Sequence, residues 1–312
     1  MLRSALINFA MSRIVRAAMT ETKNVAEIPE EIDAQAIESI RQANVQHNIS
    51  LIRKAAEQGA QIVCLGELFA MPYFAYKSEY DERWREAAES VETGKTVQEL
   101  CAVARELSLV VIAPIYEVAE DGHYNTAVVI DQGEVLGKYR KNHIPHGGNE
   151  KGPFTEGFYY GRSDNGEMNA GREKVVGDAM FPVFITSVGK VGVSICNDRH
   201  FEYECRMLAN GGAEIVVSPA ITFGEVSERA WEVEFPADAL RNDIFVGGSN
   251  RKGREFADGP EFFGRSYFVG PDCKRLESVS ESGELVIADV DLELIGQDLA
   301  GWRLKEQRME GY

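Results

Sequence analysis

No stretch of this 312-residue chain gathers the run of about 18 apolar residues that a membrane span requires. Cationic side chains are scarce, with 33 Lys and Arg against 50 Asp and Glu and a net charge of −17. Nucleic acids and acidic membranes are held by clustered Lys and Arg, so neither is expected as a partner. The imbalance does not call for a basic substrate, because acidity this widely spread serves solubility. Histidines number five and cysteines five. An odd cysteine count without close pairs excludes a disulfide framework, and no His/Cys/carboxylate spacing suggests a metal site. Cys64, Cys101 and Cys205 lie in apolar or helical contexts and read as reduced thiols, which points to the cytoplasm. The glycine pairs, Gly247-Gly248 among them, do not follow a strand-to-helix dinucleotide pattern, so no cofactor is expected. A Pro/Ser-rich linker and an internal repeat are both missing, and one domain over residues 1–312 is expected.

What is present alternates between strand and helix. Residues 14–19 read as a first strand. Residues 34–59 carry Ile37, Ile40, Ile49, Ile52 and Ala56 at broadly helical spacing and stop at a glycine. Strands follow at 61–66 and 109–114, with a helix at 96–107 between them. Hairpins are expected over 124–141, turning at Asp131-Gln132-Gly133, and over 181–196, turning at Val188-Gly189. Helices at 202–210 and 227–242 alternate with strands at 214–218 and 244–250, and strands at 266–269 and 284–290 close the sheet. Hairpins mixed with βα units fit two sheets packed face to face with helices outside. Residues 161–177, polar and with four glycines, read as an insertion loop that shapes the entrance to a site. Residues 1–19 hold three arginines and no acid, which mimics a presequence. Because 14–19 reads as the first strand, residues 1–12 are taken as a plain extension.

Three ionisable residues end apolar runs. Cys196 closes VGVSIC and is followed at once by Asn197, Asp198, Arg199 and His200; Glu67 follows QIVCLG (61–66); Lys141 follows GEVLGKYR (133–140). Open α/β sheets present their chemistry at such strand mouths. Each has a plain structural alternative: a packed core thiol for Cys196, and an ion pair for Glu67 and Lys141.

Together, GELFAMPYF around Glu67, GKYRKNHIP around Lys141 and VGVSICNDRH around Cys196 resemble the three signature segments of the nitrilase, or carbon–nitrogen hydrolase, superfamily. Within it the chain is most similar to the ureidopropionase-like members of the N-carbamoyl amide hydrolase branch. Supporting stretches are RIVRAAM (13–19), AAESVETG (87–94), HYNTAVVI (123–130), GAEIVVSP (212–219) and RSYFVGPD (265–272). The resemblance implies an α/β fold, the four-layer α-β-β-α sandwich. It implies a small-molecule substrate and a homodimer or higher homo-oligomer, with GWRLKEQRMEGY (301–312) as a tail that wraps a partner.

The implied chemistry is hydrolysis of an N-carbamoyl amino acid, N-carbamoyl-β-alanine being the best single substrate. Cys196 would attack the carbamoyl carbon, its thiol acidity raised by Lys141. Lys141 and the backbone N–H of Asn197 would hold the oxyanion, and Glu67 would move the protons. The loop after Lys141 offers Glu150 and Glu156 as a second glutamate; Glu156, before Gly157-Phe158-Tyr159-Tyr160, fits the family arrangement better. Arg199 matches the arginine that holds a substrate carboxylate, with an intramolecular salt bridge as its alternative. His143 is a candidate for polarising the pocket or binding substrate, with packing as the alternative. Other readings stay open: an N-carbamoyl-D-amino acid or N-carbamoylputrescine hydrolase, another amidase or nitrilase, or a catalytically silent assembly module.

Overall fold

A computed structural model of the chain describes residues 13–163, 167–299, 301, 302, 304, 307 and 308. The expected extension over residues 1–12 and most of the tail at 301–312 lie outside the described residues. In chain order the first elements are β1 (Ile14–Thr20), α1 (Ala34–Glu57), β2 (Ile62–Cys64), α2 (Lys95–Leu107), β3 (Val110–Ala119), β4 (Gly122–Asp131) and β5 (Glu134–Arg140). Next come the hairpin β6 (His146–Asn149) and β7 (Gly152–Thr155), then β8 (Val175–Asp178), β9 (Phe181–Thr186), β10 (Gly189–Val193) and α3 (Tyr203–Asn210). The chain continues through β11 (Ile215–Ala220), α4 (Glu225–Asn242), β12 (Phe245–Asn250), β13 (Lys252–Arg254), β14 (Glu261–Phe263), β15 (Tyr267–Val269) and β16 (Leu285–Asp291).

Two six-stranded sheets result, in the orders β16-β1-β2-β3-β4-β5 and β15-β12-β11-β10-β9-β8. Each has three parallel strands at its centre, an antiparallel pair on one side and a single antiparallel strand on the other. Period-two alternation decides which side chains face which layer. Ala17, Met19, Ile62, Cys64, Val110 and Ile112 turn inward and join a cluster with Val191, Val193, Val217 and Val246 of the second sheet. Their neighbours Ala18, Val63 and Val111 turn outward and pack with Val45, Leu51 and Ile52 of α1 and with Val97 and Leu100 of α2. Trp231 and Phe235 of α4 cover the far face of the second sheet. The layers therefore run helix, sheet, sheet, helix, as the resemblance implies. No helix of the described residues is long and apolar enough to cross a membrane.

Asp33 begins α1 by accepting a 2.7 Å hydrogen bond from the Ala36 N–H, a cap worth about 1 kcal/mol. On β12 the two adjacent glycines have a packing role. A side chain on Gly247 would meet Met19 and the Phe268 ring, and one on Gly248 would meet Trp231 and Phe235. Their bareness lets the first sheet and α4 approach β12 from opposite sides.

Of residues 161–177, none of the described ones lines the cleft of the candidate site. The described part lies along the edge of β5, where Asn169 pairs with both backbone groups of Lys138 at 3.0 and 2.8 Å, and its last residues enter β8. An exposed strand edge has unpaired backbone groups, and this segment satisfies them.

Candidate active site

The site forms where the two sheets meet at their strand ends. Glu67 lies three residues beyond β2, and Lys141 directly follows β5 with its N–H held by the Asn125 carbonyl of β4 at 2.9 Å. Both side chains are completely buried. The Lys141 ammonium donates to Glu67 Oε1 at 2.8 Å and to Glu156 Oε2 at 2.6 Å. Asn125 Nδ2 also donates to Glu67 Oε1, at 2.7 Å, and the Ile221 N–H donates to Oε2 at 2.6 Å. Tyr73 donates its hydroxyl to Glu156 Oε1 at 3.2 Å. Glu150 is instead exposed and accepts from the Glu225 N–H at the start of α4. Of the two loop glutamates, Glu156 is the one that meets the lysine.

Cys196 arrives from the other sheet. β10 ends at Val193, and a tight turn over Cys196–His200 follows, with Cys196 itself in the left-handed region at φ 50°. A non-glycine residue there is strained by roughly 1–3 kcal/mol and needs its surroundings to hold it. Asp198 provides much of that hold. Its Oδ2 accepts from the Ile195 N–H at 3.0 Å and from the Tyr139 hydroxyl at 2.6 Å, while Oδ1 accepts from the His143 N–H at 2.8 Å. One fully buried carboxylate thus ties the loop of Lys141 to the turn of Cys196. Arg251 does the same for Glu67: its Nη2 donates to the carbonyls of Glu67, Leu68 and Met71 at 3.0, 2.9 and 2.7 Å, and its charge pairs with buried Glu255.

The Cys196 sulfur lies 3.6 Å from the Ile221 carbonyl, so the residue that anchors Glu67 through its N–H also borders the thiol. Burial pushes the thiol pKa up to about 12, with Glu67 adding to the rise; Lys141 and Arg199 pull the other way and are outweighed. Lys141 thus acts on the thiol in the expected direction, and burial is the larger influence. Lys141 itself is held well above its ordinary value: burial opposes the charge, but Glu156 and Glu67 overcome it. Glu156 is raised by burial, despite Lys141.

A cleft of about 400 Å³, open to solvent, reaches Cys196 and Glu156, with Glu67 and Lys141 buried behind them. Cys196, Asn197, Arg199, Glu156 and Tyr73 line it, with Phe154, Ile221 and Phe223 as apolar wall. Asn197 is anchored by its side-chain N–H to the His143 carbonyl at 3.2 Å. Arg199 is nearly buried. Its Nη1 lies 2.8 Å from the Cys196 carbonyl and 4.0 Å from the sulfur, and Nε pairs with Glu234 at 3.1 Å. The salt-bridge alternative for Arg199 is therefore real, yet its guanidinium still borders the cleft.

His143 is not on the cleft wall, which corrects its assignment to substrate. Its Nδ1 lies 2.8 Å from Asp198 and 3.1 Å from Glu204, its Nε2 2.5 Å from the Tyr203 hydroxyl, and its ring stacks on Phe201. Both nitrogens are occupied behind the cysteine turn. Burial works against its charge, but Asp198 and Glu204 outweigh it and raise the pKa to about 9. His143, Asp198 and Glu204 bring ligand-type atoms within 4.8 Å of one another, the right set for a metal ion. Here His143 pairs directly with both carboxylates. Sequence reasoning gave no role to Tyr73, Asn125, Asp198 or Arg251. The first three lie inside the quoted motifs; Arg251 carried no signal.

A thiol, a buried carboxylate pair bridged by an ammonium, and a cleft reaching them form an arrangement suited to acyl transfer. The carbon–nitrogen hydrolase family model matches residues 34–298. The chain belongs to the carbon–nitrogen hydrolase family, and its layered fold is that of the nitrilase superfamily. It is 35% identical over 271 residues to β-ureidopropionase of Arabidopsis thaliana, covering 81% of this chain and 61% of that protein, so the match leaves over a third of the relative's length unspanned. It is 30% identical over 279 residues to N-carbamoylputrescine amidase of the same plant, covering 85% of this chain and 87% of that one. The crystal structure of a carbon–nitrogen hydrolase from Helicobacter pylori G27 superposes with a TM-score of 0.77 at 25% identity, covering 95% of this chain and 96% of that one.

Proposed function

We propose that the protein is a cysteine amidohydrolase that cleaves the carbamoyl group from an N-carbamoyl amino acid, with N-carbamoyl-β-alanine as the best-fitting substrate. The observation that carries this reading is Arg199, the one permanently cationic side chain among the described residues of the cleft wall, 4.0 Å from the sulfur. The only carboxylate among the described lining residues is Glu156, already paired with Lys141. A substrate carboxylate would find a guanidinium there and no competing free acid. The similarity to β-ureidopropionase supports the same substrate class.

The steps follow from the site. Glu67 takes the Cys196 proton as sulfur bonds to the carbamoyl carbon. The oxyanion is held by Lys141 and a backbone N–H at the turn, that of Asn197. As the tetrahedral species collapses the carbon–nitrogen bond breaks, and Glu67 returns the proton to the departing nitrogen as ammonia. Water, deprotonated by Glu67, then attacks the thioester-like carbon, the sulfur leaves with a proton, and the released carbamate loses carbon dioxide to give the amino acid. Lys141 and Glu156 keep the buried charge fixed throughout.

A panel of carbamoyl and amide compounds assayed for ammonia release tests the substrate class. Cys196→Ala should remain folded and release none; substantial release by that variant would remove the nucleophile assignment. Arg199→Gln should weaken carbamoyl acids by about 2–5 kcal/mol and neutral amides far less. A second reading, a cationic substrate such as N-carbamoylputrescine, is favoured by one observation: Glu234 pairs with Arg199 and with His200, which lowers the positive charge of that wall. Parallel losses on acids and neutral amides would refute the Arg199 clamp, and preference for the cationic substrate would select the second reading.

A further inference from the structure

We infer that Tyr73 is a further catalytic residue, whose hydroxyl accepts an N–H of the departing amino group while donating its own proton to Glu156. The inference rests on the cysteine hydrolase reading above. Tyr73 lies six residues beyond Glu67 and lines the cleft together with Cys196 and Glu156. It is 1% exposed, and its ring sits edge-on to Phe223 and Phe262 at 6.3 and 6.1 Å between centroids. Its backbone N–H is fixed by Glu255 at 2.7 Å, the same buried acid that pairs with Arg251. Main chain and ring are thus both immobilised, so the hydroxyl points in one direction without further ordering.

A phenol has one proton to donate and two lone pairs to accept with. The proton is committed to Glu156 Oε1, and burial raises the phenol pKa well above its ordinary value, so the hydroxyl stays neutral. Among the described residues none donates to the phenol oxygen. In an aromatic pocket a phenylalanine would fill the same space, and a buried hydroxyl gains only a modest net amount from one neutral hydrogen bond. The open lone pairs instead fit the –NH₂ of a ureide or primary amide, the group that must leave as ammonia. The hydrogen bond moves no proton to or from Tyr73. It holds the nitrogen so that its lone pair faces the proton carried by Glu67. The chain Tyr73–Glu156–Lys141–Glu67 is one continuous set of hydrogen bonds, so the residue that reads the leaving group is linked through Glu156 to the one that holds the oxyanion.

The chemical consequence is selectivity for a leaving group that bears N–H. The experiment compares the ureide with its O-methyl carbamate counterpart, which presents methoxide in place of –NH₂, in wild-type protein and in Tyr73→Phe. We expect kcat/KM for the ureide to fall by about tenfold or more relative to the carbamate, the scale of one hydrogen bond. A ratio of the two rates is independent of how much of the variant folds. An unchanged ratio, with both substrates falling in parallel, means that the hydroxyl only orients Glu156, and overturns the proposal while the cysteine mechanism stands. Failure of the underlying reading shows separately, as wild-type protein that releases no ammonia from any ureide or amide, and overturns both.

Discussion

The thiol of Cys196 is surrounded by opposing influences, and burial with Glu67 prevails over Lys141 and Arg199. At neutral pH the resting sulfur therefore carries its proton, and attack has to be coupled to proton transfer rather than begin from a stored thiolate. Alkylation of Cys196 by iodoacetamide should accelerate about tenfold per pH unit from about pH 6 to about pH 9, with no plateau. A plateau near neutrality would mean a thiolate already formed at rest. Glu67→Gln removes the proposed proton acceptor and Lys141→Met the proposed oxyanion donor, and each should lower kcat by about 10²–10³; a change confined to KM in either variant would refute its role. At this scale much of the site is legible from sequence, because Glu67, Lys141, Cys196 and Glu156 each follow or sit within a recognisable motif. His143 is the instructive exception. Its place two residues after Lys141 suggested the pocket, but the loop turns its ring onto Phe201, and the carboxylates that occupy it come from residues 198 and 204. A side chain's direction after a strand end depends on those later partners, not on its distance from the lysine.

Elements follow from period and punctuation wherever both faces of a strand are buried. β1, β2 and the β4–β5 hairpin lie close to their expected places, since apolar alternation and the Asp131-Gln132-Gly133 turn mark them. β3 runs five residues past the expected end, because Pro114 does not stop an antiparallel pairing that continues to Ala119. The hairpin β6–β7 and the strand β8 were not legible: each is only four residues long, and only pairing to a neighbour makes them strands. β12 shows the reverse, a strand whose glycines look like weakness and are required for packing. A Cβ on Gly248 would lie 2.6 Å from the Trp231 ring. Gly248→Ala should therefore destabilise the fold by about 1–3 kcal/mol through overpacking, measured as a lower urea midpoint. A neutral result would mean that α4 can shift away from β12 freely.

The molecule as a whole carries several buried acids whose ionisation opposes its fold at high pH. Burial raises Glu204 to about 7 and Asp238 to about 7, against ordinary values of 4.5 and 3.8. The folded state then binds more protons than the unfolded one between those limits, so stability falls as pH rises through that window. His143, raised to about 9, continues the trend: its contribution is complete below the ordinary 6.5 and is lost as pH climbs through about 9. Carboxylates with lowered values, such as Asp81 and Asp289, act in the opposite sense but only as pH falls below the usual carboxylate range. The urea midpoint should thus decline from about pH 5 to about pH 9, and Glu204→Gln should flatten the lower half of that decline. An identical slope in the variant would exclude Glu204 as its source. The order of the site along the chain has one more consequence, for synthesis. Glu67, Lys141 and Glu156 leave the ribosome first, but the sulfur comes only with residue 196, and the N–H that anchors Glu67 only with residue 221. A polypeptide interrupted anywhere before β11 has acids and a lysine but no working centre, so hydrolysis starts only after the second half of the protein has been made and laid against the first.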